Sequence, residues 1–328
     1  MVTRTRFCIL ALAACAATLS TMAGAQPTTA WPARPVTVIV AQAPGGPNDM
    51  EARMYAGKMT ELARQKFVVD YKPGAGTTIG AIHVARSAPD GYTLLAVTAG
   101  VTIFPALYPR LEIDVLKDFA PISLLSKKPQ LLLVRPDFPT KTFDEYIAYA
   151  RANPGRINYA TTGSGGGAHL IGAWLHSLTN TKVTFFPYKG TAPILVDMLG
   201  GRMDATAALI AVTMPLLKAG KVRVLAITSD KRSRLLPDVP TIAERGIPEY
   251  NYTTWMGFSA PRGTQPEIIN RLNGWFVQVA KMPDIIQNLE SDGSEAVGST
   301  SAQFQQQIES EVVRWNRVVK EAGIKAED

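Results

Sequence analysis

The stretch Val36 to Arg64 reads VTVIVAQAPGGPNDMEARMYAGKMTELAR. Val36 to Ala41 is an unbroken apolar, β-branched run, the pattern of a strand covered on both faces. Pro44-Gly45-Gly46-Pro47 stops that run with turn residues, and an amphipathic helix follows from about Asn48 to Arg64. A strand, a glycine turn and a helix make one βα unit, and the rest of the chain extends it.

Working outward, Phe67 to Tyr71 reads as a strand, Pro73-Gly74-Ala75-Gly76 as a turn and Thr78 to Ser87 as a helix. Asp90-Gly91 then turns into a strand from Leu94 to Thr98. A long strand-like stretch runs from Ile122 to Val134, and Thr142 with Glu145 makes a capping box for a helix reaching Asn153. Strands at Asn158 to Thr161, Val183 to Phe186 and Val224 to Ile227 enclose helices at Gly166 to Leu178 and Thr191 to Leu199. A proline-rich connection, a strand near Met256 to Ala260 and helices at Pro266 to Ala280 and Ser301 to Ala322 complete the chain. Such alternation predicts an α/β fold with parallel sheets. The extended segment near Ser126 to Lys128, with a return near Ser229 to Arg232, predicts two lobes joined by hinge strands. One lobe takes residues 26–126 plus 229–328, the other 127–228, and a ligand cleft lies between them.

The N-terminus carries a different signal. Arg4 and Arg6 precede an apolar run from Phe7 to about Leu19, and Ala23-Gly24-Ala25 offers signal peptidase its small residues. Export to the periplasm with cleavage after Ala25 is expected. Leu12-Ala13-Ala14-Cys15 is the lesser alternative, a lipoprotein box that would lipidate Cys15. The only cysteines, Cys8 and Cys15, both lie in the leader, so the mature chain forms no disulfide and depends on buried apolar area. The formal net charge of +7 is dispersed. No Lys/Arg block resembles a nucleic-acid arm, and a mild positive field favours anionic ligands.

Three glycine loops, Ala43 to Asn48, Lys72 to Thr77 and Thr161 to Gly167, each end a strand and open a helix. Unsatisfied N–H groups and the positive end of the helix dipole favour an anion at such points. Tight turning alone also explains each loop; three together point to a shared anion site at the carboxyl ends of the strands. Gly163, Gly165 and Ala168 fit G-x-G-x-x-A, but a dinucleotide site needs an acid roughly 20 residues on, and none occurs between Glu145 and Asp197. No cofactor is expected. Ser164 lacks the first glycine of a nucleophile elbow. His169 and His176 share a helix without a third metal ligand. His176 reads as structural, and His169 either donates to a ligand or braces the glycine loop. Asp49 either caps the first helix or receives a ligand donor. The chain is not expected to be an enzyme.

Several motifs, in order, resemble one family: Trp31-Pro32-Ala33-Arg34-Pro35-Val36, Ala43 to Asp49, Lys72-Pro73-Gly74-Ala75-Gly76 and Ala88-Pro89-Asp90-Gly91-Tyr92-Thr93-Leu94. Asp118-Phe119-Ala120-Pro121-Ile122, Pro187-Tyr188-Lys189-Gly190, Leu199 to Asp204 and Leu236 to Thr241 continue the series. Over nearly its whole mature length the chain is similar to the Bug-type substrate-binding receptors of tripartite tricarboxylate transporters. The resemblance implies a two-lobed, type II-like periplasmic binding protein fold, each lobe a sheet flanked by helices. It also implies a monomer that closes on a small carboxylate and docks to membrane transporter subunits or, alternatively, a sensor kinase. Carried over motif by motif, the ligand-binding residues are Pro44, Gly45, Gly46, Pro47, Asn48 and Asp49 with Thr77 and Thr98 from the first lobe. The second lobe supplies Thr162, Gly163, Ser164, Gly165 and His169, with Gly190 and Thr191 at the next helix start. The chain departs from the family at Gln42, Ala168 and Ala208. An apolar wall at Ala208 disfavours an amino acid and suits an aliphatic or aromatic di- or tricarboxylate.

Overall fold

Strand β1 (Val36–Val40) lies between β2 (Phe67–Tyr71) and β3 (Thr93–Thr98), parallel to both. All of its residues except Thr37 are buried. The computed structural model describes residues 31–163 and 165–325. The leader with its expected cut after Ala25, Cys15 and the candidate Ser164 lie outside the described residues. The chain divides into a unit of Met1–Ala33 and a unit of Arg34–Asp328, and the fold is that of the second.

The first sheet continues past β3 to β9 (Thr253–Pro261) and the long β4 (Phe119–Val134), both contacts antiparallel, with β10 (Glu295–Ala296) on β4 at Ser126 and Lys127. Past Pro129 the same β4 strand enters a second sheet. From Gln130 to Val134 it pairs antiparallel with β7 (Ala205–Leu209), and its last part also pairs with β8 (Arg223–Ile227). Beyond β7 lie β5 (Asn158–Thr161) and β6 (Thr184–Pro187), running parallel. The helices are α1 (Pro47–Ala63), α2 (Thr78–Ala85), α3 (Phe104–Leu107), α4 (Phe143–Ala152), α5 (Gly167–Leu178), α6 (Thr191–Leu199) and α7 (Ile210–Lys218). After the second sheet come α8 (Pro266–Ala280), α9 (Pro283–Ser291) and α10 (Ser301–Ala322). The α/β class is as the alternation predicts, but the sheets are mixed. Parallel pairing holds inside β2-β1-β3 and β7-β5-β6, whereas β4 and β9 carry the chain across and back and so run against their neighbours.

The sequence reading passed over α3, β7, α7, α9 and β10. β7 is Ala205-Thr206-Ala207-Ala208-Leu209, with one β-branched residue, so its burial in the second sheet overrides weak strand propensity. α7 contains Pro215, which reads as a helix breaker. The capping box at α4 is half formed. The Thr142 hydroxyl accepts from the Glu145 N–H at 3.2 Å, but the Glu145 carboxylate accepts from the Lys141 N–H at 2.6 Å instead of the Thr142 N–H. The full box occurs at α10, where Thr300 and Gln303 exchange both bonds.

The crossing is tied at Thr228, which has no exposed surface. Its N–H donates to the Gln130 carbonyl at 2.9 Å, and its carbonyl accepts from the Tyr252 N–H at 2.8 Å. Its hydroxyl oxygen accepts from the Gln130 N–H at 2.9 Å. One residue thus joins the outgoing strand, the end of the second sheet and the approach to β9. Helix α10 reinforces the junction. Glu311 accepts from the Trp255 indole N–H at 2.9 Å, and Trp315 packs edge-on against Trp174 of α5 with centroids 5.7 Å apart. Thr228→Val keeps the shape but strands the buried Gln130 N–H. We expect it to lower unfolding free energy by about 1–3 kcal/mol in urea denaturation, and a change near zero would show that the bond is not formed.

Candidate functional site

Where the two sheets meet, the chain encloses a cavity of about 290 Å³, at the small end of ligand sites. Its walls come from the ends of strands. Ala99 and Gly100 follow β3, Thr162 and Gly165 follow β5, Thr191 opens α6, and Ala207 to Leu209 close β7. The crossing segments supply Gln130, Tyr252 and Thr254, and α10 supplies Trp315.

Two helix starts face this space. α5 begins at Gly167 and α6 at Thr191, and their N-caps, Gly166 and Gly190, make no side-chain cap bond. First-turn N–H groups are therefore left for another acceptor. At Gly166 an added Cβ would lie 2.3 Å from the Thr162 carbonyl oxygen, so only glycine lets the loop fold this closely onto the helix start. No Asp, Glu, Lys, Arg or His among the described residues lines the cavity. An anion held here is neutralised by dipoles and hydrogen bonds, not by a countercharge.

Of the residues singled out from the sequence, Thr162, Gly165, Thr191 and Ala208 line the cavity together. Thr98, the last residue of β3, leads directly into the Ala99 turn. Thr98 also meets Thr77 and Gln42 around a separate void of about 10 Å³, room for one water. The Thr77 hydroxyl there is buried without a partner. Gly163, His169 and Gly190 stand beside the lining rather than in it. Pro44, Gly45, Gly46, Pro47, Asn48 and Asp49 are not among the residues that line the cavity in this structure.

Asp49 is turned inward on its own loop. Its carboxylate accepts from the Gly45 N–H at 2.8 Å, the Arg53 Nε at 2.9 Å and the Tyr71 hydroxyl at 2.7 Å. Burial pushes its pKa up, but those three donors outweigh it and hold the carboxyl below its ordinary range. The N-cap of α1 is Gly46 and Asp49 sits in the first turn, so the carboxylate fixes the loop by reaching back to Gly45. His169 accepts from the Gly165 N–H through Nδ1 at 3.2 Å, and its ring lies 4.8 Å from that of Phe185. That is the loop-bracing contact.

Sequence reasoning missed Ala99, Gly100, Gln130, Tyr252, Thr254 and Trp315. Ala99-Gly100 had a signal, being a small-residue turn at the end of a parallel strand. Gln130 had another, an amide opening the apolar run Leu131 to Val134. Tyr252 and Trp315 had none, because only the tertiary fold brings them to the junction.

His176 is structural, as read. It is buried, with Nδ1 at 2.6 Å from the Thr181 hydroxyl and Nε2 at 3.2 Å from the Tyr146 hydroxyl. Burial lowers its pKa from 6.5 to about 3. The unfolded chain takes up a proton below pH 6.5 that the folded chain refuses until about pH 3. Stability is therefore lost as pH falls through that window, by up to about 1.4 kcal/mol per pH unit. Urea denaturation between pH 7 and 4 is expected to show this dependence, and His176→Asn to remove it. An unchanged slope in the variant would contradict the assignment.

A family model described as TctC, Tripartite tricarboxylate transporter family receptor, matches residues 51–324. The chain is 35% identical over 302 residues to the UPF0065 protein in the TAR-I ttuE-ttuC' intergenic region of Agrobacterium vitis, covering 91% of this chain and 87% of that one. Among solved structures, R. palustris Rpa4515 with adipate superposes with a TM-score of 0.77 at 35% identity, covering 90% of this chain and all (100%) of that one. MatC from Rhodopseudomonas palustris with bound malate gives a TM-score of 0.73 at 33% identity, with 88% and 100% coverage.

Proposed function

We propose that this chain, which belongs to the tripartite tricarboxylate transporter receptor family, captures a small aliphatic or aromatic di- or tricarboxylate in the cavity between its two sheets. It is a periplasmic solute-binding receptor rather than an enzyme, and it serves a transport system. The observation that carries the ligand class is the lining: two helix starts and neutral polar groups, with no charged side chain among the described residues. Helix starts and hydrogen-bond donors stabilise a carboxylate. An ammonium group would find no carboxylate there to offset its lost hydration.

Similar proteins support the reading, since one solved structure carries adipate and another malate. Ala207, Ala208 and Leu209 give this cavity an apolar wall suited to a hydrocarbon chain between carboxylates. The proposed lobes are residues 26–126 with 229–328 and residues 127–228, closing on the ligand about the Thr228 junction. Pro44 to Asp49, Thr77 and Thr98 then approach it from the first lobe. The mature protein, cut after Ala25 and not lipidated at Cys15, would begin at Gln26, which mass spectrometry of the exported protein reads directly.

Titration calorimetry against adipate, terephthalate, aspartate and glutamate tests the ligand class. A dicarboxylate is expected to bind and, at a hundredfold excess over its Kd, to raise unfolding free energy by about 2.7 kcal/mol. Tight binding of aspartate or glutamate alone would contradict the proposal.

A further inference from the structure

Gln130 and Tyr252 are both more than nine-tenths buried, and both line the cavity. Neither the Gln130 amide nor the Tyr252 hydroxyl has a hydrogen-bond partner among the described residues, although their backbones are bonded into the Thr228 junction. Their polar atoms open on the same cavity, so the hydrogen-bonding capacity that the chain leaves unused there is turned toward whatever fills that space.

Their placement calls for an acceptor. A Cβ built on Gly167, the first residue of α5, would lie 3.0 Å from Gln130 Nε2 and 3.0 Å from the Tyr252 hydroxyl oxygen. The amide, the phenol and the start of a helix of 12 residues therefore meet at one end of the cavity. The Tyr252 hydroxyl keeps its proton, because burial pushes its pKa well above the ordinary value. An amide N–H₂, a phenol O–H and helix N–H groups are all donors, and a carboxylate accepts from several donors at once. The start of α6 at Thr191 provides a second group of donors on the same cavity.

We infer that Gln130 and Tyr252, with the first turn of α5, form a neutral seat for one carboxylate of a two-ended ligand and set its specificity, the other carboxylate being held at the start of α6. This assignment rests on the carboxylate-receptor reading. It gives the hinge a direct part in recognition. The residues that read the ligand are those whose main chain forms the crossing, so occupancy of the seat loads the junction without any relay through another element.

The experiment is calorimetry of the full mature chain with adipate and with 6-aminohexanoate, which replaces one carboxylate by an ammonium on a chain of similar length. The unaltered protein is expected to bind adipate and not the amino acid. Tyr252→Phe, which removes one oxygen from an otherwise unchanged ring, and Gln130→Leu are each expected to weaken adipate binding about tenfold or more, as loss of a donor to a charged acceptor does. Gln130→Glu places an anion in the seat and is expected to reverse the preference, so that 6-aminohexanoate binds more tightly than adipate. A misfolded variant cannot produce that gain. If all three variants keep adipate affinity within about twofold of the unaltered protein, the assignment is overturned while the receptor reading stands. If the unaltered protein binds no carboxylate, both are overturned.

Discussion

The hydrogen bonds around Thr228 are the constraint on which the cavity depends. A chain that leaves one sheet along β4 and returns along β9 needs its two crossings held in register, or the strand ends that line the site would not face each other. Thr228 does this with three bonds to Gln130 and Tyr252, at a position with no solvent access. Breaking any one leaves a buried main-chain group without a partner, which costs more than the bond itself contributes. The geometry is thus held by the penalty for alternatives as much as by attraction.

Around this junction, charges are kept apart from the cavity. Lys128, two residues before Gln130, is buried with its Nζ 2.5 Å from Glu51 Oε2 of α1. Asp49 is bonded within its own loop. Glu311, whose pKa burial raises, lies behind the Ala99 turn and accepts from Trp255, Gln307 and Thr102. Each charge paired elsewhere leaves the lining neutral, so the site selects by the number and direction of donors. A buried ion pair such as Glu51 with Lys128 adds little net stability over an apolar pair, because desolvation offsets its attraction. Its place between α1 and the crossing strand makes it a fixer of α1 against β4.

Much of the fold was legible because several of its strands are short apolar runs punctuated by glycine turns, as in Val36 to Pro47. What stayed hidden was decided by tertiary context. β7 is mostly alanine, and β4 had to be seen paired before its passage through two sheets was evident. The glycine loop at Thr161 to Gly167 pointed to the cavity because its residues carry the local chemistry of a helix start. Gln130 and Tyr252 sit 122 positions apart in numbering and carry no local motif, and only the three-way bonding at Thr228 explains why they share a site. Asp49 shows the converse case: its place after the first glycine turn left capping and a ligand contact both open, and its partners Arg53 and Tyr71, from the helix and the neighbouring strand, carry no signal in the turn itself.

The central claim, that a carboxylate is held by helix starts and neutral donors at the junction of the two sheets, is tested most directly by a crystal structure of the protein saturated with a six-carbon dicarboxylate. The account predicts carboxylate oxygens within hydrogen-bond distance of main-chain N–H groups at the starts of α5 and α6, with no Lys or Arg side chain in contact. A ligand paired with lysine or arginine, or found outside this cavity, would contradict it.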